Sequence, residues 1–306
     1  MVPIASLSLS LPSLRMQALE AGPADGPLVL LLHGFPELSE SWREVLPVLA
    51  QAGFHAVAPD LRGYGGTDKP RHGYDLDTLA EDIHQLARRL QPGRPAHVVG
   101  HDWGGAIAYH LAAMQPDVVD RLAVVNAPHP SVMARRMWNP VQLARSWYMF
   151  YFQLPLLPER QLSARGGAAV PWLIRRSLVN KDRVPREKLE PYAKNFAHPE
   201  AARAAIAYYR TAIRGALTPQ GLRRIRSYPR IRAPFRLIWA EEDPALGREL
   251  TYGLEPYFEQ PVEVRYLPNV GHFAPLEAPE QVAALVLEHL GGWTRASTPH
   301  APAPGP

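Results

Sequence analysis

The chain of 306 residues contains no cysteine, which excludes disulfide bonds, thiol nucleophiles and thiolate metal sites. No apolar run approaches the ~20 residues that a membrane-spanning helix requires, so we expect no membrane span. The segment before residue 15 lacks the basic start and the cleavage site of a signal peptide, and we therefore expect a cytoplasmic protein. No G-x-G-x-x-G motif follows a strand pattern and no cluster has metal-ligand spacing, so we expect neither a cofactor nor a metal ion.

The charge of the chain is distributed unevenly. Residues 131–233 hold 20 lysine and arginine residues against 5 acidic ones, whereas the rest of the chain holds 13 against 24. The basic residues are scattered and form no recognised binding motif, so we expect no nucleic-acid partner. The simpler interpretation is a solvated, arginine-rich surface. The alternative is an insertion whose positive field docks on an acidic base or steers anionic substrates.

Short apolar strands alternate with helical patterns on both sides of this basic segment. Strands are predicted at 28–32, 54–58, 96–100, 122–126, 235–240 and 262–267, and helices at 42–52, 76–90, 104–114, 246–254 and 279–290. The alternation is typical of βαβ units in a doubly wound, mostly parallel sheet, for which we expect about eight strands. Such sheets form their sites at the carboxyl ends of the strands.

The basic segment has helix-like, aromatic sequence without a convincing run of strands. We predict that residues 1–130 and 234–295 form an α/β core domain and that residues 131–233, called the lid below, form a helical cap. The proline- and alanine-rich residues 296–306 are predicted to be a disordered tail.

The run from Val98 to Gly105 has the pattern of a strand, a sharp turn and a helix start, with Asp102 between small residues. This is the pattern of the G-x-S-x-G nucleophile elbow with a carboxylate in place of the serine hydroxyl. The replacement disfavours a serine esterase. A carboxylate needs no base to activate it, and it attacks carbon electrophiles such as epoxides or alkyl halides to give an alkyl ester.

An ester on Asp102 requires a general base that activates water, usually a histidine held by a carboxylate. In this type of sheet the acid and then the histidine follow the nucleophile along the chain. His272 follows the last predicted strand in a Gly-His context and precedes the last predicted helix. We therefore predict that His272 is the general base.

The strand at 235–240 leads into three consecutive acidic residues, Glu241, Glu242 and Asp243. We predict Asp243 as the acid that orients the histidine, because it lies deepest in the loop and precedes Pro244. Glu241 and Glu242 remain alternatives.

Hydrolysis of the ester forms an oxyanion, which two backbone N–H groups should stabilise. We predict the N–H of Trp103, directly after the nucleophile, and that of Phe35, in the loop after the first predicted strand. Pro36 cannot donate, and the peptide bond before it is a candidate for the cis form. His33 and His101 are interpreted as residues that hold these loops by hydrogen bonds.

Together these motifs resemble the α/β-hydrolase-fold epoxide hydrolases of the soluble and bacterial type. The matching pieces occur in the family's order at residues 33–37, 58–65, 100–105, 126–130, 240–243 and 271–273. The resemblance implies an α/β-hydrolase fold with an inserted helical lid. It also implies an enzyme that opens an epoxide to a vicinal diol.

The resemblance further implies two lid tyrosines that hydrogen-bond the epoxide oxygen. The segment that ends in Tyr-Phe-Gln selects Tyr148 as the first, and the Tyr-Tyr-Arg segment selects Tyr209 as the second. Tyr151 and Tyr208 are the alternatives. In the implied reaction the tyrosines polarise the epoxide, Asp102 attacks a ring carbon, and water activated by the histidine opens the ester.

Aromatic side chains of the lid and the oxyanion loop suggest an apolar substrate pocket. The predicted lining is Phe35, Trp103, Trp147 and Phe152, with Trp138, Trp172 and Phe196 as further candidates. We expect a small apolar epoxide and water as the partners, and a monomer or a homodimer. The arginine-rich lid also raises the possibility of fatty-acid epoxides, whose carboxylate it could attract.

A haloalkane or haloacid dehalogenase has the same Asp-His-Asp core and is the alternative function. Haloalkane dehalogenases usually need a second halide donor, often Asn where this chain has Phe35, and the haloacid enzymes carry Arg where this chain has Trp103. An alternative of another class is a non-catalytic ligand-binding protein on the same fold.

Overall fold

A sheet of eight strands forms the centre of the structure, a computed structural model that describes residues 2–291. The strands are β1 (Ala5–Ser10), β2 (Arg15–Ala21), β3 (Leu28–Leu32), β4 (His55–Pro59), β5 (Ala96–His101), β6 (Val119–Val125), β7 (Phe235–Ala240) and β8 (Val262–Leu267). They lie in the order β1-β2-β4-β3-β5-β6-β7-β8. Strand β2 is antiparallel to both of its neighbours, and the other pairs are parallel. The predicted mostly parallel sheet of about eight strands is confirmed.

The helices before the lid are α1 (Leu46–Gln51), α2 (Leu76–Leu90) and α3 (Trp103–Met114). Between β6 and β7 follow α4 (Pro130–Arg136), α5 (Pro140–Arg145), α6 (Trp147–Tyr151), α7 (Leu157–Gly167), α8 (Ala169–Arg176), α9 (Glu190–Phe196), α10 (Pro199–Ala216) and α11 (Pro219–Arg226). The last two helices are α12 (Ala274–Glu277) and α13 (Pro279–Leu290). The division into a core and a lid stays a prediction, and the predicted tail at 296–306 lies outside the described residues.

Strand β3, near the centre of the sheet, is apolar at every position because both faces of the sheet are covered. In β3, Leu28, Leu30 and Leu32 pack into the cluster that contains α2 and α3, whereas Val29 and Leu31 pack into the cluster that contains α1 and α13. The two layers of helices thereby fix the sheet between them. No helix among residues 2–291 is long and apolar enough to cross a membrane.

The prediction of a helix at 246–254 is wrong. The structure has two short 3-10 turns there, Arg248–Thr251 and Glu255–Tyr257. Gly247 has an extended backbone, with φ −75° and ψ 151°, and its N–H donates to Gln142 Oε1 of the lid. Gly253 has a φ of +74°. The two glycines therefore interrupt the helix that the apolar spacing suggested.

Strands β1 and β2 were not predicted, since the first 21 residues carry a weaker pattern than the buried strands. Strand β1 is an edge strand with an alternating Leu-Ser sequence, and it pairs only with β2. The helix predicted at 42–52 is shorter in the structure. It begins at Leu46 after a 3-10 turn, Ser39–Trp42.

Candidate active site

Asp102 lies in the sharp turn between β5 and α3, with φ 50° and ψ −117°. A non-glycine residue with this backbone is strained, and the surrounding structure must hold it. A Cβ atom on Gly100 would lie 2.3 Å from the carbonyl oxygen of Gly104, and one on Gly104 would lie 2.2 Å from that of Leu32. Because both positions are glycine, the strand and the helix can approach each other closely, and the turn between them places the Asp102 carboxylate at the carboxyl end of β5.

The two oxygens of the Asp102 carboxylate have different surroundings. Oδ1 accepts a hydrogen bond from the N–H of Phe35 at 2.8 Å. Oδ2 lies 3.7 Å from Nε2 of His272. Burial raises the pKa of Asp102, although His272, His101 and the N–H groups of Phe35 and Trp103 partly oppose this rise. The peptide bond between Phe35 and Pro36 is cis.

His272 Nδ1 lies 2.7 Å from Oδ2 of Asp243. The same oxygen accepts from Nδ2 of Asn126 at 2.9 Å, and Oδ1 accepts from the N–H groups of Ala245 and Leu246. Burial alone would raise the pKa of Asp243, but His272 and these donors lower it. The structure therefore holds an ionised carboxylate against the imidazole.

The imidazole of His272 is buried between two carboxylates. Burial alone would lower its pKa, but the charges of Asp243 and Asp102 outweigh burial and raise it to about 9. The value therefore depends on the charge of Asp102, and it must fall when that carboxylate becomes a neutral ester.

The alternative acids lie elsewhere. The carboxylate of Glu241 accepts from Nη1 of Arg248 at 2.7 Å, on a partly exposed loop. The side chain of Glu242 is exposed. Of the three acidic residues, the structure brings only Asp243 to the histidine.

Tyr209, on α10, is 4% exposed and packs directly above the oxyanion loop. Its ring centroid lies 5.3 Å from that of Phe35, 5.1 Å from that of Trp103 and 5.8 Å from that of Tyr148. Burial raises the pKa of Tyr209 well above its ordinary value, and the negative charge of Asp102 adds to this rise. The phenol is therefore neutral and lies within the electrostatic reach of the carboxylate.

Tyr148, on α6, is half-buried and contacts Phe152 as well as Tyr209. Burial raises its pKa, with further contributions from Asp102 and Asp243. The structure thus brings both tyrosines selected by the family resemblance to the same side of the site.

The hydroxyl groups of the two alternative tyrosines are bonded elsewhere. Tyr208 donates to the carbonyl oxygen of Arg62 at 2.7 Å, and Tyr151 donates to Oε1 of Gln161 at 2.5 Å. Each hydroxyl serves the packing of the lid, on the core or within itself.

The predicted pocket residues separate into two groups. Phe152 is buried, with its ring 5.0 Å from that of Tyr209 and 5.4 Å from that of Phe35. Phe196 is also buried against Phe35. In contrast, Trp147 is 64% exposed, and its ring contacts that of Tyr151. The predicted place of Trp147 in the pocket is therefore wrong.

Trp138 and Trp172 are exposed as well, so they do not line the pocket either. Trp147 is exposed because of its place on α6. Tyr148 and Phe152, the residue directly after the helix, occupy the face that points to the site. A sequence with apolar residues on both faces of a helix does not reveal which face is buried.

Two residues that contribute to the site, Asn126 and Glu37, were not predicted to do so. Asn126 donates a hydrogen bond to Asp243. Glu37 is fully buried, and its Oε2 lies 2.5 Å from Nδ1 of His101. Nε2 of His101 donates to the carbonyl oxygen of His272 at 2.9 Å. Burial alone would raise the pKa of Glu37, but His101 lowers it to about 2. Both residues lie inside motifs that carry the family resemblance, which was the available signal.

Residues 2–291 contain no group of three or more histidine and acidic side chains that could hold a metal ion. What the arrangement offers is a carboxylate with one oxygen held by backbone N–H, a histidine–aspartate pair beside it and two neutral phenols opposite. This set can form and hydrolyse an ester.

Comparison with known proteins agrees with the geometry. The sequence pattern of the α/β hydrolase fold matches residues 27–279. The AB hydrolase superfamily protein YfhM of Bacillus subtilis is 36% identical over 277 residues, which cover 88% of this chain and 92% of that protein. Epoxide hydrolase 4 of Mus musculus is 33% identical, with 92% of this chain and 78% of that protein covered. The structure of a Bacillus megaterium epoxide hydrolase in complex with an inhibitor has a TM-score of 0.82 at 26% identity, and covers 93% of this chain and 100% of that chain.

Proposed function

The chain belongs to the α/β-hydrolase fold family, among its epoxide hydrolases, and from this premise we propose that it converts an apolar epoxide to a vicinal diol through an ester on Asp102. The observation that carries the ester is the unequal environment of the two Asp102 oxygens, and the neutral phenols of Tyr148 and Tyr209 beside it favour an epoxide. Oδ1 is held by the N–H of Phe35, whereas Oδ2 faces His272 at 3.7 Å. The attacking oxygen is therefore Oδ2.

In the first step, Oδ2 forms a bond to a ring carbon as that carbon releases the epoxide oxygen. The emerging alkoxide takes a proton from Tyr148 or Tyr209, whose raised pKa values keep both phenols protonated until a strong base appears. Oδ1 remains on the backbone N–H of Phe35 and becomes the carbonyl oxygen of the ester.

In the second step, His272 takes a proton from water, which attacks the carbonyl carbon of the ester. The negative charge then develops on Oδ1, which already accepts from the N–H of Phe35 and which the N–H of Trp103 stabilises as the second oxyanion donor in this proposal. Collapse breaks the bond to Oδ2, so Oδ2 leaves with the diol and takes a proton from His272. The water oxygen stays in Asp102, which passes the second proton of the water to His272 as the carboxylate ionises again.

The charges of the site favour this order of events. The Asp102 carboxylate helps to raise the pKa of His272 to about 9, which leaves the imidazole mostly protonated in the free protein at neutral pH. Ester formation removes that negative charge and lowers the pKa. His272 therefore gives up its proton, which restores the phenol that donated in the first step, and the neutral imidazole is the base that the intermediate needs.

An activity assay tests the proposal against the dehalogenase alternative. The protein is incubated separately with a terminal epoxide, a bromoalkane and fluoroacetate, and diol and halide are measured. We expect diol from the epoxide. Halide release without any diol would support a dehalogenase and contradict the proposal, and no turnover of any substrate would support a ligand-binding protein.

A further inference from the structure

The lid carries an exposed apolar surface that the site does not use. Seven large apolar side chains between residues 138 and 157 are between 46% and 86% exposed, and we call them the apolar face of the lid: Trp138, Val141, Trp147, Phe150, Leu154, Leu156 and Leu157. Single exposed apolar residues are common on protein surfaces. A concentration of seven, two of them tryptophans, within 20 residues of sequence is typical of a surface that binds a partner.

Helix α6 shows how this surface is related to the site. Tyr148 and Phe152 point inward, with ring centroids 5.8 Å and 5.0 Å from that of Tyr209. Trp147 and Phe150, one turn apart, are exposed on the other side. A short helix that is apolar on all sides is expected where both sides are covered. The site covers one side, and among the described residues nothing buries the other.

The charge around this surface indicates what covers it. Residues 135–165 include five arginines and one acidic residue, Glu159. The carboxylate of Glu159 is bound to Arg210, so it does not offset the exposed guanidinium groups. Four of the five arginines are exposed: Arg135, Arg136, Arg160 and Arg165. Aromatic residues bordered by arginines are typical of segments that lie in the interface of an anionic bilayer.

We propose that the apolar face of the lid docks on an anionic lipid bilayer, with its aromatic side chains among the headgroups and its arginines on the lipid phosphates and carboxylates. A symmetric dimer through the same face would bring two arginine-rich borders together, which disfavours a second copy as the occupant. The docking does not depend on the reaction proposed above.

Sedimentation with vesicles tests this docking. The wild-type protein is mixed with vesicles of equimolar phosphatidylcholine and phosphatidylserine, or of phosphatidylcholine alone, over a series of salt concentrations. We expect binding to the anionic vesicles that weakens as salt increases, and weaker binding to the neutral ones. The double variant Trp147→Ser, Phe150→Ser should bind anionic vesicles about tenfold less tightly or worse, because two aromatic side chains no longer enter the interface.

The matched control is Met114→Ser, which removes an exposed apolar side chain at the end of α3 far from Asp102 and should bind as the wild type does. Near-ultraviolet circular dichroism verifies that each variant is folded. The proposal is overturned by wild-type protein that stays in the supernatant with anionic vesicles at low salt. Undiminished binding of the double variant also overturns it, as does a dimer in velocity sedimentation that the double variant abolishes.

Discussion

At the scale of single residues, the proposed reaction depends on which oxygen or proton each side chain can offer. Asp102 presents one free oxygen, Tyr148 and Tyr209 present phenolic protons, and the hydroxyls of Tyr151 and Tyr208 are bonded elsewhere. The sequence pattern supplied the residue types. It left the choice within each pair of tyrosines to the family resemblance, because the two positions of each pair point in different directions: about 100° apart for Tyr208 and Tyr209, and about 60° apart for Tyr148 and Tyr151.

The first prediction concerns the two tyrosines. Replacing both, Tyr148→Phe with Tyr209→Phe, should reduce the rate of ester formation by about 10²-fold to 10⁴-fold, since the emerging alkoxide loses its proton donors. The rate is measured in single-turnover experiments with excess protein. Tyr151→Phe is the control, because its hydroxyl bonds Gln161, and it should retain a rate close to that of the wild type. Full activity of the double variant would refute the assignment of both residues.

The second prediction separates the two chemical steps. Asp243→Asn removes the charge that orients His272 and should slow hydrolysis of the ester by about 10³-fold to 10⁴-fold, as replacement of the orienting carboxylate does in serine proteases. The ester should then accumulate and be visible as an added mass on the intact protein. Glu241→Gln, whose carboxylate pairs with Arg248, should accumulate no ester. Equal behaviour of the two variants would argue against Asp243 as the orienting acid.

The third prediction is a pH dependence. Only the ionised form of Asp102 can attack, and burial raises its pKa, so the rate of ester formation should fall as pH decreases with a midpoint above the ~3.9 of an ordinary aspartate. Stopped-flow measurement of the first step across acidic pH gives this midpoint. A midpoint at or below the ordinary value would contradict the described environment of the carboxylate.

At the scale of elements, the strands that are buried on both faces were the most predictable. Strands β3 and β7 have the predicted bounds, because a strand buried on both faces is a mostly apolar run between turn residues. Strand β8, at one edge of the sheet, also has the predicted bounds. The edge strand β1 and its neighbour β2 were missed, since exposure weakens the apolar pattern. Helix α6 was identified as a source of a tyrosine, but its two apolar faces concealed which one lines the site.

The fourth prediction compares two helical glycines. Gly104→Ala should destabilise the protein by about 1–3 kcal/mol or more, because the new methyl group would meet the Leu32 carbonyl at 2.2 Å. Gly215→Ala, on α10 with no atom within 4 Å of the new Cβ, should stabilise it by about 0.5–1 kcal/mol. Thermal unfolding of both variants measures these effects. Similar melting temperatures for the two would show that the elbow tolerates a side chain there.

At the scale of the whole molecule, the sheet brings together the ends of β3, β5, β7 and β8, which are far apart in sequence. The order of motifs along the chain predicted this meeting, because parallel strands end at one edge. The support of the site by the Glu37–His101 and Asn126–Asp243 contacts was not predicted. Spacing along a sequence does not reveal which buried polar groups will pair.

The fifth prediction concerns stability and pH. The pKa of His272 is raised to about 9 in the folded state, from about 6.5 in the unfolded chain. The contribution of this group to the free energy of unfolding is therefore complete below about pH 6.5 and is lost as pH rises through 9. The melting temperature should fall over this interval. His272→Gln removes the titration and should flatten the decline. A variant that declines as steeply as the wild type would place the titrating group elsewhere.

The most direct test of the ester on Asp102 is a single turnover in water enriched in heavy oxygen, with protein in excess over epoxide. We expect the first diol to be free of the label, because its new oxygen comes from Oδ2, and the peptide that contains Asp102 to carry the label instead. Heavy oxygen in the first diol, with an unlabelled Asp102, would mean that water attacks the epoxide directly and would contradict the proposed mechanism.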